Sequence, residues 1–174
     1  MAEALEPAVP GDIDELALEV LQAACEGDLK LVTAESCTGG LLASLLTDLP
    51  GMSHAFDRGF VTYTNESKQE LLGVPPQLLK SPGAVSEPVA RAMAEGALAR
   101  AQGQVALAIT GYAEPPKDEP AQAGVVHFGL AAEGLATRHR RECFGDVGRA
   151  EVRIRSLRTA LEMLREALAE RSAR

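Results

Sequence analysis

Short apolar blocks alternate along the chain with polar turns that carry glycine or proline, and the spacing of the apolar positions changes from block to block. Between Asp12 and Gly27, Leu16, Leu18, Val20 and Leu21, with Ala17 and Ala24, supply the apolar side of a helix. Asp12 is placed to cap it, and Glu15 stands at the reciprocal capping-box position. Leu29 to Ala34 is a short apolar run bounded by turn signals, the pattern of a buried strand. The polar turn Glu35-Ser36-Cys37-Thr38-Gly39-Gly40 follows, and Leu41 to Leu46 then predicts a second helix that ends before Pro50-Gly51.

Phe56 to Thr64 holds β-branched and aromatic residues and predicts a second strand, followed by a short helix from Asn65 that closes at Gly73. Pro75 to Leu79 has room for one more helical turn. Ser86 is placed to cap an alanine-rich helix reaching about Arg100, with Pro88 tolerated in its first turn. Val105 to Thr110, Val125 to Ala131 and Thr137 to Phe144 read as strands, and a long helix covers Arg149 to Arg171. Alternating strands and helices predict an α/β fold, a single-domain three-layer α/β/α sandwich with a mixed, mostly parallel sheet. The sheet is expected to be mixed because only Glu133-Gly134 separates two of the last strands.

With 174 residues, 46% of them hydrophobic, the chain has enough apolar material for one core and little for a second, so 1–174 is expected to be a single domain with its core at about 12–168. A net charge of -8 argues against a general nucleic-acid binder, because neutralising phosphates requires a basic face. The cluster Arg138-His139-Arg140-Arg141 reads as solvated surface charge interleaved with glutamates. No apolar run is long enough to span a membrane, and Glu3 and Glu6 stand where a signal peptide carries basic residues, so a cytoplasmic location is expected. Cys25, Cys37 and Cys143 form no metal-ligand spacing with one another or with His54, His127 and His139, so reduced thiols and no metal are expected.

A strand that runs through a glycine-rich turn into a helix gathers backbone N–H groups and a positive dipole end at one point. Such a point can bind an anion, or hold an oxyanion if a nucleophile stands beside it. Ser36 is available there, with Cys37 next to it, although the same turn chemistry also serves ordinary helix caps. A serine hydroxyl needs a base, and no histidine has a distinctive polar context. Lys68, in Tyr63-Thr64-Asn65-Glu66-Ser67-Lys68, is the better candidate, since a desolvated lysine can be partly neutral near pH 7. A lysine in a first helical turn is otherwise usually exposed.

Taken in order, Ala34 to Gly40, Pro50-Gly51, Tyr63-Thr64-Asn65 with Lys68, Leu72-Gly73-Val74-Pro75, Gly83-Ala84-Val85-Ser86, Met93-Ala94-Glu95-Gly96 and Ile109-Thr110-Gly111 resemble the CinA C-terminal family over about Asp12 to Leu168. Members are similar to nicotinamide-mononucleotide deamidases of the PncC type, which hydrolyse the carboxamide to nicotinic acid mononucleotide and ammonia. The resemblance implies Ser36 as nucleophile, Lys68 as its base, and Tyr63 assisting proton transfer or orienting the pair. It implies Thr38, Gly39, Gly40, Thr110 and Gly111 around the substrate, a pyridine nucleotide, with no cofactor and a homodimeric assembly. Many relatives carry this domain behind a larger N-terminal domain, and a stand-alone form is expected here.

Two stretches depart from the family's pattern. Gly145-Asp146-Val147-Gly148-Arg149 expands its Gly-Asp-Arg by two residues, leaving Arg149, one helical turn before Arg153, as the candidate for the substrate phosphate. Tyr112 to Gly124 replaces a glycine-rich loop with Glu114, Pro115, Pro116, Asp118, Glu119 and Pro120, which removes N–H donors and brings carboxylates toward an anion site. A nucleotide-binding or regulatory module without turnover is therefore the alternative reading, and a Cys37-dependent amidase a third.

Overall fold

A computed structural model describes residues 9–173, so the acidic start at Glu3 and Glu6 lies outside the described residues. In chain order the elements are α1 (Gly11–Glu26), β1 (Leu31–Glu35), α2 (Leu41–Asp48), β2 (Phe56–Val61), α3 (Asn65–Leu72), the single turn α4 (Pro76–Leu78), α5 (Glu87–Ala99), β3 (Val105–Gly111), β4 (Val125–Ala132), β5 (Arg138–Cys143) and α6 (Arg149–Ser172). The strands form one sheet in the order β2-β1-β3-β4-β5. β1 runs parallel to β2 and β3, whereas β4 is antiparallel to both β3 and β5, so the mixed sheet has one reversed strand.

Strand periodicity divides the core into two layers. Leu31, Val105, Leu107, Ile109, Phe128 and Leu130 point to one face and pack with Val20 and Leu21 of α1, Leu42 and Leu46 of α2 and Leu157, Leu161 and Leu164 of α6. Val32, Ala34, Ala106, Ala108 and Ala131 point to the other and meet Leu72 of α3 and Val89, Met93 and Ala97 of α5. The small residues on this second face let α5 approach the sheet closely. A Cβ on Gly129 would lie 2.1 Å from the Ala90 carbonyl oxygen.

The connection from β1 to β2 runs through α2 on the first face, and that from β2 to β3 through α3 and α5 on the second. β1 is flanked by β2 on one side and β3 on the other, so the chain leaves its carboxyl end at a switch point, where open α/β sheets form ligand crevices.

Several local expectations are corrected. α1 starts at Gly11 with no side-chain cap, and Asp12 accepts from Arg158 Nη2 at 2.5 Å instead. With Pro10 at the N-cap position, Asp12 lies inside the first helical turn, and its carboxylate pairs with Arg158 of α6. Ser86 does not cap α5 through its side chain; its hydroxyl donates to the Gly83 carbonyl at 2.7 Å and closes the preceding turn. β2 ends at Val61, short of Thr64, because Thr64 leaves the strand to cap α3 in a reciprocal box with Ser67. In keeping with the expected surface charge, two arginines of β5 pair with glutamates of α6: Arg140 reaches Glu166 at 2.9 Å, and Arg138 pairs with Glu170. Among the described residues no helix is long and apolar enough to cross a membrane.

Candidate active site

At the carboxyl end of β1 the backbone N–H of Ser36 donates to the Ile109 carbonyl of β3 at 3.0 Å, which fixes the start of the turn against the neighbouring strand. Gly39 and Gly40 follow with φ of 62° and 95°, a backbone region that side chains with a Cβ rarely adopt. The turn is held from within by Glu35. Its buried carboxylate accepts from the Thr38 hydroxyl at 2.7 Å, from the N–H groups of Gly40 and Leu42 at 3.1 Å, and from that of Ala43 at 2.9 Å. These N–H groups begin α2 and would otherwise be unsatisfied. A side chain from the preceding strand thus caps the helix and places a negative charge at its positive end.

Glu35 changes the expected role of the turn. The N–H groups at the start of α2 are occupied, so they are not free to hold an external anion. Thr38, Gly39 and Gly40, expected around the substrate, are absent from the cleft wall, and the Thr38 hydroxyl is taken by Glu35. The Thr38 carbonyl accepts from Arg153 Nη2 at 2.8 Å, so Arg153 braces the back of the turn. Among the described residues, the backbone hydrogen bonds that shape the turn use neither the Cys37 nor the Thr38 N–H, the first of which faces its own thiol.

Lys68 enters from α3. Although its surrounding sequence is polar, the side chain is only 1% exposed. Its Nζ lies 3.1 Å from Ser36 Oγ, 2.7 Å from the Thr62 carbonyl oxygen and 3.4 Å from that of Tyr63. No carboxylate is among these partners. Burial pushes the amine down from an ordinary 10.5 to about 8. A neutral amine has two hydrogens and one lone pair. With the two carbonyls accepting the hydrogens, the lone pair is left facing the Ser36 hydroxyl.

These groups open on a cleft of about 270 Å³ lined by Ser36, Cys37 and Lys68 at its base, Ala84, Val85, Thr110 and Gly111 along one side, and Tyr112, Ala113, Glu114, Tyr63 and Arg149 at the rim. Thr110 and Gly111 stand where they were expected, with the Thr110 hydroxyl donating to the Ala84 carbonyl at 2.9 Å. Tyr63 reaches Lys68 through its backbone carbonyl, while its exposed side chain favours the charged form of Arg149. Arg149 also lies 3.6 Å from Glu114. Burial pushes the Cys37 thiol up to about 11, which keeps it protonated and a poor nucleophile beside Ser36. Among the described residues no group of three or more His, Cys, Asp or Glu is arranged to hold a metal ion.

Some of this lay outside the sequence reading. Glu35 was visible only as a carboxylate directly ahead of a glycine turn and a helix, which is the signal for a cap supplied from a strand. Ala84 and Val85 are brought to the cleft by the loop before α5, while Tyr112 to Glu114 come from the loop already expected near the anion site. His127 and His139 pair away from the cleft, with Nδ1 of the first 2.9 Å from Nε2 of the second.

Residues 13–168 match the CinA C-terminal domain. A CinA-like protein of Mycobacterium marinum is 45% identical over 160 residues, covering 91% of this chain and 36% of the relative. Another from Anaeromyxobacter is 46% identical over 153 residues, covering 87% and 37%. The chain thus spans about a third of the length of these relatives. Among solved structures, the competence/damage inducible protein CihA from Agrobacterium tumefaciens superposes with a TM-score of 0.87 at 44% identity, covering 92% of this chain and 98% of that one. A CinA superfamily protein from Escherichia coli gives 0.81 at 36% identity, covering 94% and 92%.

Proposed function

From its place in the CinA C-terminal domain family, to which the chain belongs, we propose that it is a serine amidohydrolase that converts nicotinamide mononucleotide to nicotinic acid mononucleotide and ammonia. The observation that carries the proposal is the buried contact of 3.1 Å between Lys68 Nζ and Ser36 Oγ at the base of a cleft. A lysine without a carboxylate partner is costly to bury, and catalysis gives a reason for it.

Neutral Lys68 takes the proton of Ser36 as Oγ attacks the carboxamide carbon. The negative charge that develops on the carbonyl oxygen is met by the N–H group of Cys37, which follows the nucleophile on the backbone and lines the base of the cleft. The ammonium of Lys68, steadied by the Thr62 and Tyr63 carbonyls, returns its proton to the amide nitrogen as the C–N bond breaks and ammonia leaves. Water, deprotonated by the same amine, then attacks the Ser36 ester; as the ester C–O bond breaks, the Lys68 ammonium returns the proton to Ser36 Oγ and the carboxylate is freed. Arg149 at the rim is assigned to the substrate's phosphate. The three unpaired cysteines fit a reducing cytoplasm, and a homodimer belongs to the same proposal on the resemblance alone.

Incubation with nicotinamide mononucleotide should release equal amounts of ammonia and nicotinic acid mononucleotide. One observation favours the alternative, a binding module without turnover: Arg149 is already engaged by Glu114. Thermal stabilisation by the nucleotide without ammonia release would decide for that alternative.

A further inference from the structure

The rim of the cleft carries an ion pair that bears on which substrates enter. Lys68 and Arg149 are the basic residues that line the cleft, and Glu114 is the acidic one. Lys68 lies at the base against Ser36, so recognition of an anion at the rim falls to Arg149. That guanidinium is already paired with Glu114 Oε1 at 3.6 Å, and the nearby Tyr63 hydroxyl favours its charged form. An incoming phosphate must share the guanidinium with that carboxylate or displace it.

Glu114 is displaceable but cannot go far. Its side chain is 65% exposed and that of Arg149 43%, so the pair is screened by solvent and exchanges easily. The backbone beside it is fixed: the Tyr112 N–H donates to the Val125 carbonyl at 2.9 Å, the Tyr112 carbonyl accepts from Gly124 at 3.0 Å, and Ala113 is buried. A carboxylate pushed off Arg149 therefore stays at the rim, beside the phosphate that displaced it. The two like charges repel, and the repulsion acts only on substrates that carry the phosphate.

We propose that Glu114 is a specificity-determining residue that competes with the substrate's phosphate for Arg149, so that the cleft discriminates weakly between a phosphorylated carboxamide nucleotide and its unphosphorylated nucleoside. This rests on the amidohydrolase reading for its substrates, though not for its charge argument. Ring and carboxamide contacts deeper in the cleft are common to both substrates and cancel in the comparison.

The test is the ratio of KM for nicotinamide mononucleotide to KM for nicotinamide riboside in the wild type, Glu114→Gln and Arg149→Ala. The ratio should fall about two- to fivefold in Glu114→Gln, since removal of one exposed charge acts on this scale, and rise in Arg149→Ala. A ratio unchanged or raised in Glu114→Gln would overturn the proposal. If neither compound is turned over, the amidohydrolase reading fails, and calorimetric titration with ribose 5-phosphate and with ribose then carries the test. Tighter binding of the phosphate alone in Glu114→Gln supports the assignment, and equal binding in both proteins refutes it.

Discussion

Lys68 Nζ stands 3.1 Å from Ser36 Oγ across 32 residues of sequence, and two backbone carbonyls hold the amine in place. The Thr64–Ser67 capping box sets the start of α3 and therefore the direction from which the lysine arrives. With the amine pushed to about 8 by burial, the base is protonated below that pH and free above it. The value of kcat/KM should therefore rise tenfold per pH unit up to about pH 8 and then level off. A profile flat between pH 6 and pH 9, on the order of that whole window, would show that this amine is not the base.

Replacing the amine separates its chemical role from its structural cost. Lys68→Met should lower kcat/KM by about a thousandfold or more while keeping or raising the melting temperature. The sign follows from linkage. The folded-state value is below the unfolded one, so the unfolded chain binds the extra proton between about 8 and 10.5, and wild-type stability from this group rises with pH across that window. Urea titrations at several pH values should show this rise in the wild type and not in Lys68→Met.

The α/β class and the mixed sheet follow from patterns visible along the chain, apolar runs at β1 and β3 and helical spacing in α1 and α5, whereas the strand order does not. The Lys68 environment was less legible, because Asn65-Glu66-Ser67-Lys68 looks like the polar first turn of an exposed helix. Its burial is decided by distant groups, the end of β1 and the carbonyls after β2, which local pattern does not encode. Glu35 was hidden for a similar reason. Its carboxylate serves a helix that begins at Leu41, and only the fold of the intervening turn brings the two together. Asp12 and Ser86, by contrast, have the chemistry of caps but found other partners.

Glu35→Gln tests the strand-supplied cap. The carboxylate accepts four hydrogen bonds through two oxygens. An amide keeps one acceptor oxygen and turns a donor toward N–H groups. A loss of about 2–4 kcal/mol in urea unfolding is expected, from charge-assisted bonds lost and donors left buried. A change within about 0.5 kcal/mol would contradict the capping role.

Gly96 tests how α5 supports the site. A Cβ there would lie 1.9 Å from the Leu72 carbonyl oxygen, at the end of the helix that carries Lys68. Gly96→Ala should destabilise the fold by about 1–3 kcal/mol and reduce activity in the protein that remains folded, because α3 must shift. Gly11→Ala, where nothing lies within 4 Å of the added Cβ, is the control and should change stability by no more than about 0.5 kcal/mol.

The central assignment, Ser36 as the acylated nucleophile, is tested most directly by the initial rate of ammonia release from nicotinamide mononucleotide in the wild type and in Ser36→Ala. The pair predicts steady release by the wild type and a loss of about a thousandfold or more in the variant, with its folded state retained. Ammonia release by Ser36→Ala at the wild-type rate would contradict it.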